Sequence, residues 1–445
     1  VRRSLLVLAC VALPVPLAAQ GILGAPAGAR VAPATAARAD SVARQGLGDL
    51  ERAALDSNPG LRVAALDVRQ ARADVVTAGL RPNPTAQITG DVLPLRDGTL
   101  ASAHDNTYGL SLQLPIELGG KRQRRTETAL ALAEGAGLGW ADSARKVLLV
   151  VRGAYFDLQN ADQALALAER NLAIYQRLTT LSQNRLEQKQ ISGAEYSRAV
   201  LGRAQAELAR DAALLAVRRA QDNLALAVGR RARVAAADTL ALLQREVPAL
   251  AQLEQLALRQ RPDVLAARAL RTAATANVAL QEANAQVTPT VSADFVTSQG
   301  TTSYGLSGNV PLAIFNRNQG EREKARAREE QSARALAAAE VAALTDVRAA
   351  WADWDTRRAA VARFAAGGSE GILARAQAVL DATEFAYKAG SISLLEYLDA
   401  VRTSADITRA YVDAVTAYDK AVAALDAATG ADTPRLLDRI PGGRP

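Results

Sequence analysis

The spacing of apolar residues changes along the chain in an order that then repeats. From Leu47 to Leu80 they recur at helical intervals, until Pro82 and Pro84 stop the pattern. After Pro84 the sequence alternates, with Ala86, Ile88, Gly90 and Val92 on one side and Thr85, Gln87, Thr89 and Asp91 on the other. A second alternating run sets Tyr108, Leu110, Leu112, Leu114 and Ile116 against Gly109, Ser111 and Gln113. Strands over 84–93 and 107–117, each with one greasy and one polar face, are predicted. From Gly120 to Gln190 the chain is Ala-rich, carries scattered Leu, Arg and Glu, and lacks proline. As one helix it would reach about 100 Å. A tight turn follows, then a return helix from Ser192 to Val228. Ser192 and Glu195 have the spacing of a capping box, in which each end of the motif satisfies a free backbone N–H of the new helix.

The second half repeats this order. Strands are predicted over 289–297 and 303–313, a long helix from Gln319 to Ala389, and a return helix from Ser393 to Thr429 with Ser393 and Glu396 as its capping box. Tyr108-Gly109-Leu110-Ser111 recurs unchanged as Tyr304-Gly305-Leu306-Ser307, and Ile191-Ser192-Gly193-Ala194-Glu195-Tyr196 returns as Ile392-Ser393-Leu394-Leu395-Glu396-Tyr397. Several ordered matches imply an internal duplication. Extra residues between Pro84 and Tyr108 read as a loop, and those near Ala365-Ala366-Gly367-Gly368 as a helix break. The expected organisation is a signal peptide at 1–19, a disordered segment at 20–46, a first repeat at 47–229, a linker at 230–248, a second repeat at 249–430 and a tail of low order at 431–445.

Composition narrows the chemistry. The 445 residues include one His, one Cys and no Met, which excludes a His/Cys zinc site, a disulfide framework and a Cys/His nucleophile pair. No metal site and no cofactor are expected, and no enzyme. Val1-Arg2-Arg3, the apolar run Leu5 to Leu17 and Ala18-Ala19-Gln20 have the three regions of a secretory signal, whose removal would take Cys10 with it. Loss of Arg2 and Arg3 lowers the formal net charge from +7 to +5. The remaining Arg residues are interleaved with Asp and Glu along helices, a solvated pattern that argues against nucleic acid. No run after the signal is long and apolar enough for a transmembrane helix.

Four strands of about ten residues can cross an outer membrane but are too few to close a barrel. An open sheet in lipid would leave its edge groups unpaired, so several subunits must share one barrel. Three would give twelve strands and room for a lumen. The helices begin directly after the strands and would continue the wall beneath.

On these features the chain resembles the TolC-like outer-membrane efflux family. The strand pairs, the duplication and the tip motifs Ile191 to Tyr196 and Lys388 to Asp399 carry the resemblance, and Pro115-Ile116-Glu117-Leu118-Gly119-Gly120-Lys121-Arg122 looks most like the branch serving cobalt-zinc-cadmium pumps. The resemblance implies a mainly α homotrimer whose twelve-stranded β-barrel continues into a periplasmic α-helical barrel. It also implies docking to a membrane-fusion adaptor and an inner-membrane pump of the RND type. A periplasmic coiled-coil or adaptor protein is the alternative that long Ala-rich helices alone would fit.

A passive duct needs constrictions and docking surfaces. Matched by motif, Glu396 and Asp399 would form an acidic periplasmic aperture, although Glu396 is also explained by its capping box. Gln190, Gly193, Gly390 and Ser391 would lie at adaptor-docking tips, where plain turn chemistry is the simpler reading. Lys121, Arg122, Arg124 and Arg125 start the long helix below a strand, where basic side chains can meet outer-membrane lipid phosphates. Trp351 and Trp354 lie too far beyond the strands for a membrane belt and are expected in helix packing. His104 is expected to be a surface loop residue.

Overall fold

A computed structural model describes residues 43–90, 95–96, 99–100, 107–243, 245–298, 300–365 and 371–443. The expected signal peptide, with Cys10, and the loop residue His104 lie outside these.

The first element is a short strand, β1 (Ala43–Gln45), followed by α1 (Leu47–Ser57) and α2 (Pro59–Gly79). The single helix expected over 47–80 is therefore two. Pro59 has no N–H to donate and takes the first position of α2, while the Asn58 side chain accepts from the N–H groups of Gly60 (2.9 Å) and Leu61 (3.3 Å). Apolar periodicity runs through this joint, which is why the pattern alone does not reveal it. Next come β2 (Thr85–Gly90), the short pair β3 (Leu95–Arg96) and β4 (Thr99–Leu100), and β5 (Thr107–Pro115). The expected long helix is α3 (Lys121–Glu187), 67 residues without a break. It turns back into α4 (Gly193–Val228), and β6 (Val234–Ala236) then pairs in parallel with β1.

The remaining elements follow the same order. They are α5 (Leu250–Gln260), α6 (Pro262–Asn284), β7 (Thr290–Ser298), β8 (Thr301–Asn309), α7 (Gln319–Ala365), α8 (Ile372–Lys388), α9 (Leu394–Thr429) and α10 (Thr433–Leu437). The expected helix over 319–389 is thus divided, at the place where the extra residues fall. Strand β8 stops short of residue 313 because Pro311 offers no ladder N–H.

Segments outside the two expected repeats are packed, the tail expected to be of low order among them. The linker contributes β6, whose Val234 is buried in a core with Leu50, Tyr155 and Leu224. The C-terminal segment places Leu436 and Ile440 among Leu61, Val68, Trp140 and Leu148. Both hold because a few large apolar side chains cover the middle of α3, and short segments of this kind show no periodicity to read.

The helices lie side by side in one wall. In the upper part the lateral order is α2, α3, α6, α7, and in the lower part α4, α3, α9 and then α7 with α8. Helix α4 ends where α2 begins, at Gly229 against Asn58 and Pro59, and α9 ends where α6 begins, at Gly430 against Arg261. Two broken helices therefore run antiparallel to α3 as stacked pairs. Trp354 is buried between α5, α7 and α9, with Trp351 packed beside it.

Candidate functional site: the sheet, its junction and the hairpin tips

The sheet has the order β2-β5-β7-β8, and every neighbouring pair is antiparallel. Each strand adjoins one helix of the upper wall: β2 follows α2, β5 precedes α3, β7 follows α6 and β8 precedes α7. Strand order and helix order are the same, so the sheet continues the wall.

Its two faces are the reverse of those in a soluble protein. Ile88, Leu110, Phe295 and Tyr304 lie opposite one another in a single row across all four strands, with Ala86, Leu112, Ala293 and Leu306 in the next row on that face. These positions are open to the surroundings, with Ile88 84% and Leu306 85% exposed. The other face carries Gln87, Ser111, Gln113, Ser292, Asp294 and Ser307 around a concavity of about 410 Å³, and Ser292 is only 8% exposed. Apolar residues outward and hydroxyls inward is the arrangement that lipid selects. Among the described residues no helix is long and apolar enough to cross a membrane.

The junction between sheet and wall uses the basic cluster in two ways. Lys121 is buried, and its Nζ donates to the Gln286 carbonyl (2.6 Å) and to Thr288 Oγ1 (2.7 Å). Burial pushes its ammonium pKa down, with the Glu117 carboxylate opposing and Arg125 adding to the shift. Arg125 pairs with Glu117 and reaches the Ala78 and Leu80 carbonyls at the end of α2. Hydrogen bonding to Arg125 holds the Glu117 carboxyl below its usual range. Arg124 pairs with Glu127 at 2.8 Å, and Arg122 is exposed. Lys121 and Arg125 are therefore staples joining α3 to its neighbours. The sequence shows a run of like charge there, whereas the structure shows that adjacent helical positions point to different neighbours.

At the far end the two hairpins form one tip. Ser192 and Glu195, and likewise Ser393 and Glu396, make both hydrogen bonds of a capping box. Lys189 and Gly390 occupy corresponding left-handed positions, at φ 59° and 78°. Gln190, Gly193, Gly390 and Ser391 are all exposed around these turns, and so are Glu396 and Asp399 on the first turns of α9. A core of Leu178, Ala199, Leu380, Leu394 and Val401 packs the hairpins together.

One contact between the hairpins was not legible in the sequence. Arg185, on the last turn of α3, donates from Nη2 to the Tyr387 and Lys388 carbonyls (3.1 Å each) and lies over the Tyr387 ring, 4.8 Å from its centroid. Tyr387 in turn stacks on Tyr397 at 5.3 Å, and burial pushes the Tyr397 hydroxyl pKa up to about 12. A basic residue near a helix C-terminus is the one sequence cue for Arg185, and it would satisfy that helix's own end equally well. Among the described residues no group of His, Cys, Asp and Glu could hold a metal ion.

A family model described as outer membrane efflux protein matches residues 50–230 and again 253–431. The chain belongs to the outer membrane efflux protein family. It is an outer-membrane efflux channel with a periplasmic helical part, and this membership removes the support for a periplasmic coiled-coil or adaptor protein. Solved structures agree on the fold. A membrane protein from Pseudomonas aeruginosa superposes with a TM-score of 0.72 at 23% identity, covering 87% of this chain and 91% of that one. The CmeC outer membrane channel of Campylobacter jejuni gives 0.73 at 15% identity, covering 89% of each chain. The MtrE outer membrane channel of Neisseria gonorrhoeae gives 0.71 at 21% identity, covering 87% and 90%. No curated protein matches.

Proposed function

We propose that three copies of this efflux channel close a twelve-stranded barrel and a helical tunnel, and that the assembly is the passive exit duct of a tripartite pump. One observation carries the reading: the open sheet has β2 and β8 at its edges, an apolar outward face and the same lateral order as the helices that continue it. An open edge in lipid costs several kcal/mol per unpaired group, and pairing β2 of one copy with β8 of the next removes that cost. The subunit is an internal duplication, and the matching Gly229–Pro59 and Gly430–Arg261 joints support that reading.

In this assembly Glu396 and Asp399 of three copies line the periplasmic mouth as an acidic aperture. Exposure of both side chains supports this, and the capping role of Glu396 uses only one carboxylate edge. Gln190, Gly193, Gly390 and Ser391 present the tip to a periplasmic membrane-fusion adaptor, which couples the duct to an inner-membrane pump of the RND type. Arg122, exposed beside the apolar Ile116, meets lipid phosphate at the inner headgroup layer. The cargo includes heavy-metal cations, a reading supported by the resemblance of Pro115 to Arg122 to the cobalt-zinc-cadmium branch.

Membrane fractionation tests the duct. A trimer extracted only by detergent, which dissociates on heating in dodecyl sulfate, is expected, and a soluble monomer would contradict it. Growth of a deletion strain on cobalt, zinc and cadmium salts, beside dyes and antibiotics, tests the cargo, and sensitivity to the organic compounds alone would remove the metal assignment.

A further inference from the structure

We propose that Asp294 sets the charge preference of the barrel lumen, an inference that rests on the trimeric duct reading. Among the residues of the four paired strands it is the sole charged side chain, and it stands on the polar, concave face. Both carboxylate oxygens are fixed. Ser111 on β5 donates its hydroxyl to Oδ1 at 2.6 Å, and Ser307 on β8 donates to Oδ2 at 2.7 Å. Directly opposite Asp294 on β8 is Gly305, which adds no side chain to screen it. On the other flank Gln87 and Gln113 bond to each other (2.8 Å), leaving the carboxylate to the two serines.

The cross-strand lock does not require a charge. An asparagine has the same shape and could accept from one serine while donating to the other. Tyrosine, leucine and isoleucine cover the outward face, so the negative charge acts on what lies inside the barrel.

Its reach can be bounded. Twelve strands at about 4.8 Å spacing and about 40° tilt give a barrel about 12 Å in radius. Three carboxylates would then lie about 9 Å from the axis. In water their summed potential there enriches a monovalent cation about twofold to threefold at 0.1 M salt and about fivefold at 10 mM, and negligibly at 1 M. The walls stay wide enough for large cargo, so the ring biases passage by charge rather than by size.

Reversal potentials of the full-length trimer in planar bilayers, under a KCl gradient at low and high salt, test this. In the Glu396→Gln/Asp399→Asn background, which removes the charge of the periplasmic mouth, Asp294→Asn should lower the K⁺ over Cl⁻ permeability ratio several-fold at 10 mM and leave it unchanged at 1 M, and Asp294→Lys should turn the preference toward Cl⁻ at low salt. Heat-modifiable trimers of both variants would show that assembly is intact. Trimeric pores whose low-salt ratio in that background is the same with Asp294, asparagine or lysine at this position would overturn the role of Asp294 while leaving the duct standing. Failure of the wild-type chain to form trimers or pores would overturn both.

Discussion

Gly229, where α4 ends in a left-handed turn at φ 84°, lies so close to Pro59, where α2 begins, that a Cβ added there would be 2.8 Å from the proline Cδ. The second half has the same arrangement, since a Cβ on Gly430 would sit 3.0 Å from Arg261 Cα. Asn58 Nδ2 donates to the Ala227 carbonyl (3.1 Å) and Arg261 Nη1 to the Ala428 carbonyl (3.4 Å), so the end of each return helix is satisfied by the element stacked on it. Where a stacked pair must act as one helix, the two ends have to touch without a side chain between them.

Gly229→Ala and Gly430→Ala should each destabilise the fold. Left-handed backbone costs a residue with a Cβ about 1–2 kcal/mol, and overpacking adds about 1–3 kcal/mol. Gly193→Ala is the control, because nothing lies within 4 Å of the added methyl and its φ is not in the left-handed region. Thermal unfolding followed by circular dichroism should show lower midpoints for the first two and an unchanged or slightly raised one for the third.

Lys121→Met should weaken the junction between sheet and wall. The Gln286 carbonyl and the Thr288 hydroxyl, in partly buried hydrogen bonds, would lose a charged donor, at a cost of about 1–2 kcal/mol. Arg122→Met, which removes an exposed charge, should leave the unfolding midpoint unchanged. Equal effects of the two substitutions would contradict the division of the cluster into buried and surface members.

Asp419 makes stability depend on pH. It is fully buried on α9, its Oδ1 accepts the Leu243 N–H at 3.0 Å, and burial raises its pKa from 3.8 to about 6 despite that bond. The folded pKa is above the unfolded one, so the group's stabilising contribution is complete below about pH 4 and is lost as pH rises through 6. Asp419→Asn should therefore stabilise the protein more at pH 8 than at pH 4.5, by an amount on the order of 1–3 kcal/mol. Identical midpoint shifts at the two pH values would show that the carboxyl does not titrate in this window.

The C-terminal segment should be required for a stable fold. Arg152 bridges Glu51 (2.6 Å) and Asp432 (2.7 Å), Arg435 also reaches Glu51 (2.7 Å), and Leu436 is completely buried. Truncation after Gly430 removes Asp432 and leaves Arg152 with one partner, and Leu436→Ala alone should cost about 2–5 kcal/mol. Unfolding midpoints of the truncated and substituted chains check this.

Glu396→Gln with Asp399→Asn should reduce cation preference at the periplasmic mouth without loosening the tip. Glutamine can still complete the capping box with Ser393, so α9 keeps its start. Bilayer recordings at matched thermal stability separate the two roles, and unchanged ion selectivity would count against the aperture.

Much of this was legible in the sequence because long, periodic segments announce themselves. The 67 residues of α3, the two capping boxes and the alternation through Leu110, Leu112 and Leu114 all follow from spacing. The joint at Asn58-Pro59 did not, since a proline at the first position of a helix interrupts hydrogen bonding without disturbing apolar periodicity. Three-residue strands such as Val234–Ala236 and the isolated anchors Leu436 and Ile440 are too short to carry a period. Lys121 was misleading for another reason. It opens a run that includes Arg122, Arg124 and Arg125, but its own hydrogen-bond partners are a carbonyl and a hydroxyl.

The most direct test of the shared-wall duct is electron cryo-microscopy of the detergent-purified full-length protein. A three-fold symmetric particle with a hollow axis, in which β2 of each copy pairs with β8 of the next, is the expected result. A single-chain particle, or an oligomer in which those two strand edges stay apart, would contradict it.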